Sequence, residues 1–225
     1  MMDGWQWLLA CVVSLVVRFG WGFPDDPLVA WRCLLKCLPV LALIPFARQR
    51  GGPAGGRCVA LGLAASVVGD VCLFYKDTYF LHGVVAFGLA HCCYIKAFGL
   101  RGDHLVLGLV LLSCALAAFA FLYPGVSDDA VLAPAILAYS LLIFTMAWRA
   151  LARLFGGPGW GACELSGALG AALFVASDLT LATNRFRFAV PHAALVTHAT
   201  YYAAQQLIAL SVKREPLTGK QWKLP

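Results

Sequence analysis

Two aspartates stand inside long apolar runs: Asp70 in SVVGDVCLFYKDTYFLHGVVAFGLAHCCYIKAF and Asp178 in LFVASDLTLATNRFRFAVPHAALVTHATYYAAQQLI. A carboxylate placed in hydrocarbon costs at least about 2.5 to 3.5 kcal/mol on insertion scales, so such residues face a cavity or a partner. Lys36, in CLLKCLPVLALIPF, is a third ionisable group at membrane depth. Paired with one acid, it leaves the other free to hold a proton, which is the division of labour that general acid–base chemistry requires. The same three groups also read as an ion pair that only orders a bundle. His91, His198, Tyr94, Tyr139, Tyr201, Tyr202, Gln205 and Gln206 can line a polar pocket or hydrogen-bond between helices. Tyr201-Tyr202 and Gln205-Gln206 make two i, i+4 pairs on adjoining strips, a face that can close a pocket holding Asp178.

Other chemistries find little support. The chain has no G-x-S-x-G elbow, no P-loop and no H-E-x-x-H. Val67-Val68-Gly69-Asp70 shares only its last two residues with the G-x-G-D of intramembrane aspartyl proteases, and no Pro-Ala-Leu segment accompanies it. None of the nine cysteines forms a C-x-x-C, so neither a disulfide framework nor a zinc site is indicated. No metal and no cofactor are expected.

The elements that must position these residues are transmembrane helices. Hydrophobic residues make up 61% of the 225 and charged ones 12%, and the mean hydropathy is +0.80. That composition predicts an all-α, polytopic bundle forming one integral membrane domain over residues 1–225. Eight spans can be drawn at about 5–23, 28–47, 57–75, 80–99, 104–123, 130–150, 162–183 and 190–212, with Gly- or Pro-containing breaks after the first, second, fifth and sixth and a short linker, Lys76 to Tyr79, after the third. The first lacks a basic n-region and a cleavage site and is expected to be retained. Lys and Arg collect on one side (Arg48, Arg50, Arg57, Lys96, Arg101, Arg149, Arg153, Lys213, Arg214, Lys220, Lys223) against Lys76, Arg185 and Arg187 on the other. Both termini are therefore predicted to be cytosolic. The net charge of +6 is a topology signal plus attraction to anionic headgroups, and implies no nucleic acid. Gly69-Asp70 aligns with Ser177-Asp178, and Asp70 to Tyr94 has the same separation as Asp178 to Tyr202, which suggests a parallel 4+4 repeat. As drawn, each acid lies five residues from the end of its span, so the two share a depth and can meet.

The runs Lys36-Cys37-Leu38-Pro39-Val40, Gly69-Asp70, Ala90-His91-Cys92-Cys93-Tyr94-Ile95, Ser177-Asp178 and Thr200-Tyr201-Tyr202-Ala203-Ala204-Gln205 resemble the YhhN-like family, most closely its vertebrate lysoplasmalogenase members. The similarity covers about residues 28–212. It implies an eight-span enzyme of the endoplasmic reticulum membrane that hydrolyses the vinyl ether bond of lysoplasmalogens to a fatty aldehyde and glycerophosphocholine or glycerophosphoethanolamine. It maps the family's two motif aspartates onto Asp70 and Asp178 and its motif lysine onto Lys36. Cys37 stands where relatives often have proline. His91, Tyr94, Tyr139, His198, Tyr202 and Gln206 are the expected supporting residues. The expected partners are the lysophospholipid substrate and membrane lipids, with a homodimer allowed. The competing reading is a proton-coupled small-solute transporter built on the same buried acids.

Overall fold

The computed structural model describes residues 29–51, 55–101, 103–157 and 159–213. The predicted span 5–23 lies outside them. The described residues form seven α-helices and no strand: α1 Val29–Arg50, α2 Gly55–Phe74, α3 Lys76–Phe98, α4 Leu105–Leu122, α5 Leu132–Phe155, α6 Ala162–Phe186 and α7 Ala193–Leu210. A 3-10 turn, Tyr123–Gly125, follows α4. Five of the helices, α2 to α6, are long and apolar enough to cross a membrane, α4 together with its turn. The molecule is a multi-pass membrane protein.

Several boundaries differ from those read in the sequence. The segment Lys76 to Tyr79, expected as a linker, is the first turn of α3, and the chain passes from α2 to α3 through Tyr75 alone. Non-helical torsions at Tyr79 (φ −115°, ψ 21°) absorb the bend instead. At the other end of the pair, α6 runs on past the predicted end at 183 to Phe186. Asn184 and Arg185 are exposed at the end of a helix that contains no Pro. Among the described residues all the cysteines are free thiols.

Six helices close into a ring, with neighbours in the order α1, α2, α3, α5, α6, α7 and back to α1, while α4 packs outside against α5. α4 is apolar all round and mostly exposed, as a helix facing lipid should be. The ring interior is aromatic and polar at once: Tyr94, Phe174, His91, Gln205, Asp70 and Ser66 are all among the fully buried side chains. Small residues make the close approaches, as is usual where van der Waals packing drives membrane helix association. A Cβ at Gly62 would collide with the ring of Tyr94, and one at Gly69 with the ring of Phe87. Just ahead of α5, Asp129 Oδ1 accepts the backbone N–H groups of Val131 (2.9 Å) and Leu132 (2.8 Å). Those two bonds hold its carboxyl below the usual carboxylate range.

Candidate active site

Buried positions on α2 recur at Val59, Gly62, Leu63, Ser66, Gly69 and Asp70, so Asp70 points into the ring with the rest of that stripe. Lys36 reaches it from α1, its Nζ 2.9 Å from Asp70 Oδ1 and donating also to the Asp70 carbonyl at 3.2 Å. From α7, Tyr201 donates its hydroxyl to Asp70 Oδ2 at 2.6 Å. Both carboxylate oxygens are thus engaged in a pair whose side chains are 10% and 3% exposed. Tyr202 donates to the Lys36 carbonyl at 2.9 Å, tying α7 to α1 one turn before the helix-interior Pro39.

Asp178 belongs to a second cluster. Tyr139 of α5 donates its hydroxyl to Asp178 Oδ2. A phenol has one proton, so at the 2.9 Å contact between His91 Nε2 and the Tyr139 oxygen it is the imidazole that donates. His91 Nε2 also lies 3.9 Å from Asp178 Oδ2. The His91 ring is fully buried, and its Nδ1 has no hydrogen-bond partner among the described residues. The result is a chain of donors, His91 to Tyr139 to Asp178, that ends on a carboxyl whose side chain is 22% exposed.

That exposure opens on a groove. Its empty space is about 620 Å³ including the mouth, and it runs between α3, α5 and α6. Phe80, Val84 and Phe87 line it from α3, Ile136, Tyr139, Ile143 and Phe144 from α5, and Asp178, Leu181, Ala182 and Phe186 from α6. The wall is almost wholly apolar, and Asp178, Tyr139 and Ser140 are its polar points. Asp70 does not line it. The aromatic side chains of Phe87 and Phe174 stand between the two clusters: Phe174 contacts His91 (centroids 4.8 Å apart) and Tyr201 (5.5 Å), and Phe87 contacts Phe174 and Tyr201.

The two acids, expected to be able to meet, occupy adjacent sites that share no hydrogen bond among the described residues, yet lie near enough for the charge of Asp178 to act on Asp70. The helix ends account for part of this, because Asp70 is four residues before Phe74 and Asp178 is eight before Phe186. The tyrosine and glutamine face of α7 closes over Asp70, not over Asp178. Gln205 rather than Gln206 carries its contact: Gln205 is fully buried and accepts from Tyr94 at 2.7 Å, whereas Gln206 is half-buried. Tyr94 in turn leaves its oxygen for the hydroxyl of Ser66 at 3.3 Å and meets neither acid directly. His198 packs on Tyr202 and bonds the Ala194 carbonyl within its own helix. Tyr201 and Ser66 are contacts that the sequence reading underused, although each lies on a regular helical stripe: Ser66 one turn before Asp70, Tyr201 one turn before Gln205.

The family model of YhhN matches residues 31–212, nearly all of the described chain. The chain belongs to the YhhN family. Relatives within the match include lysoplasmalogenase TMEM86B of Sus scrofa, 43% identical over 213 residues that cover 94% of this chain and 88% of the relative. Human lysoplasmalogenase TMEM86B is 38% identical over 96% of this chain and 90% of its own. Human lysoplasmalogenase TMEM86A is 39% identical over 82% and 80%. No solved structure matches the chain. The YhhN match begins beside Arg32 and ends past α7, so it takes in both clusters and the groove.

Proposed function

We propose that this YhhN protein is a lysoplasmalogenase, hydrolysing the vinyl ether of a lysoplasmalogen in the groove at Asp178. The observation that carries this reading is a single carboxyl at the polar point of an apolar groove of about 620 Å³ including its mouth. The kinship with lysoplasmalogenases supports the same substrate class.

The reaction begins when Asp178 delivers a proton to the β-carbon of the vinyl ether, leaving an oxocarbenium ion beside the new carboxylate. Water adds to that cation while Asp178 takes its proton, and the hemiacetal collapses to aldehyde and glycerol hydroxyl. One carboxyl serves as acid and then as base, as in retaining glycosidases. Tyr139, held by His91, fixes the carboxyl with one oxygen occupied and turns Oδ1, which has no hydrogen-bond partner among the described residues, toward substrate. Asp70 takes the ionised role as the counter-ion of Lys36. Because it lies behind the Phe87 and Phe174 wall, it acts as a positioning residue, through Tyr201 and the ring it braces.

The test is fatty aldehyde release by purified protein in detergent, with the saturated ether analogue as control. Release from the vinyl ether alone, lowered 10²-fold or more in Asp178→Asn, is the expected result, on the order of a general acid's usual contribution. Well-folded protein that releases nothing in detergent, yet moves a solute across sealed vesicles in a proton gradient, would be a transporter.

The wider architecture belongs to the same proposal. Eight spans in one domain over residues 1–225, arranged as a parallel 4+4 repeat, are supported by the two antiparallel pairs α2–α3 and α6–α7, each with its acid on the first helix. Cytosolic termini agree with the Lys and Arg bias, and residence in the endoplasmic reticulum membrane is what the resemblance to the family implies. The lysophospholipid and bilayer lipids are the proposed partners, and a homodimer is compatible with the exposed apolar side chains of α4.

A further inference from the structure

Arg185 is a basic residue on the side of the molecule where few are found, and nothing in the two clusters uses it. It lies on α6 seven residues beyond Asp178. Seven residues at 100° each return to within about 20° of the starting direction, so the two side chains share a face, and the rise between them is about 10 Å. Leu181, Ala182 and Phe186 on that face line the groove. The guanidinium carbon of Arg185 lies 4.2 Å from the ring centroid of Phe80 and 5.7 Å from that of Phe186, and both rings are groove wall. Arg185 thus leans back over the mouth, as helical side chains do. It is exposed, and among the described residues it meets no carboxylate and donates no hydrogen bond. A guanidinium braced on aromatic rings, with no partner for its N–H edge among the described residues, is suited to bidentate recognition of a phosphate.

We infer that Arg185 binds the phosphodiester of the lysophospholipid while the vinyl ether lies against Asp178, so that α6 measures the substrate between the two. This rests on the reading of the groove given above. From the vinyl β-carbon to phosphorus a lysoplasmalogen has seven bonds, and at about 1.2 Å of advance per bond in an extended chain that is roughly 8 Å. Two side chains separated by about 10 Å of helix and leaning the same way can span it. The hydrocarbon tail then follows the apolar wall inward past Val175 and Ile143.

The experiment compares two vinyl ethers in a phosphate-free detergent: a lysoplasmalogen, and a 1-alkenylglycerol that has no phosphate. Arg185→Gln is expected to raise KM for the lysoplasmalogen about 10-fold or more, the range for a hydrogen bond to a charged group, with kcat little changed. The same variant should hydrolyse the 1-alkenylglycerol as the wild type does, and Arg185→Lys should recover part of the lysoplasmalogen KM. Equal losses on both substrates would make Arg185 a prop for the Phe80 wall and overturn the assignment, as would no loss on either. If added diacylphosphatidylcholine abolishes the difference between wild type and Arg185→Gln, the arginine holds a bilayer headgroup and the assignment falls. Should the wild type hydrolyse neither lipid, the enzymatic reading fails, and binding still tests the arginine. Thermal stabilisation by the saturated 1-alkyl-glycerophosphocholine should then exceed that by 1-alkylglycerol in the wild type and equal it in Arg185→Gln, and equal stabilisation in the wild type would refute the inference.

Discussion

Replacing Lys36 by Met keeps the volume of the side chain and removes its charge, so it isolates what the ammonium does for Asp70. The lysine supplies one carboxylate contact at 2.9 Å and one carbonyl contact at 3.2 Å, leaving Tyr201 as the remaining donor to a carboxyl that is 3% exposed. Breaking a buried pair from one side strands a charge, and typically costs about 3 to 5 kcal/mol. The double variant Lys36→Met, Asp70→Asn strands nothing, and its loss should be only about 1 to 2 kcal/mol, near that of the hydrogen bonds removed. The double variant should therefore be about 2 to 3 kcal/mol more stable than Lys36→Met alone, measured as shifts in the midpoint of reversible unfolding in mixed micelles. Activity in the double variant should recover with the fold, because Asp70 does not line the groove. A single Lys36→Met loss below about 1 kcal/mol would show that the pair is solvated or readily rearranged, and would refute the burial reasoning. A double variant that folds fully yet stays as inactive as Asp178→Asn would refute the positioning role and place Asp70 in the chemistry itself.

Three further outcomes follow from the same geometry. Tyr139→Phe removes the hydroxyl that joins His91 to Asp178 and should lower kcat by about 10- to 100-fold with KM nearly constant, since it orients the proton donor without enclosing the tail. Val175→Trp narrows the groove one turn inward of Asp178, and should raise KM more for long-chain than for short-chain vinyl ethers when the two are compared under identical detergent. Asp129→Ala should lower the thermal midpoint at neutral pH. The folded carboxyl titrates below its unfolded value, so its contribution is present above about pH 4 and is lost as pH falls through the folded pKa. Midpoints of wild type and variant should converge in acid, and a gap that persists there would assign the effect to something other than the ionised carboxyl.

Much of the site can be traced in the chain because its polar residues are so few against the apolar background. Asp70, Asp178 and Lys36 stand out on cost alone, and Pro39 and the matching Gly69-Asp70 and Ser177-Asp178 pairs mark their surroundings. What periodicity could not supply is which of two adjacent strips of α7 turns inward. Tyr201 and Tyr202 are both buried, yet one bonds a carboxylate and the other a carbonyl of a different helix. Nor does spacing along one helix say which of two acids a lysine on another will reach.

The sequence by itself determined that this chain crosses a membrane as helices, that two acids and a lysine lie within the apolar segments, and that the chain resembles its family. Those properties follow from residue type and local spacing, which hydrocarbon makes expensive to violate. The tertiary structure alone decided that Lys36 belongs to Asp70, that Tyr139 and His91 belong to Asp178, and that an aromatic wall keeps the two apart. It also placed Asp178, and not Asp70, on the groove. The reason is physical: membrane helices meet over close-packed faces of small residues, and the partners that such packing brings together lie 34 to 166 residues apart in the chain, beyond anything that local spacing encodes.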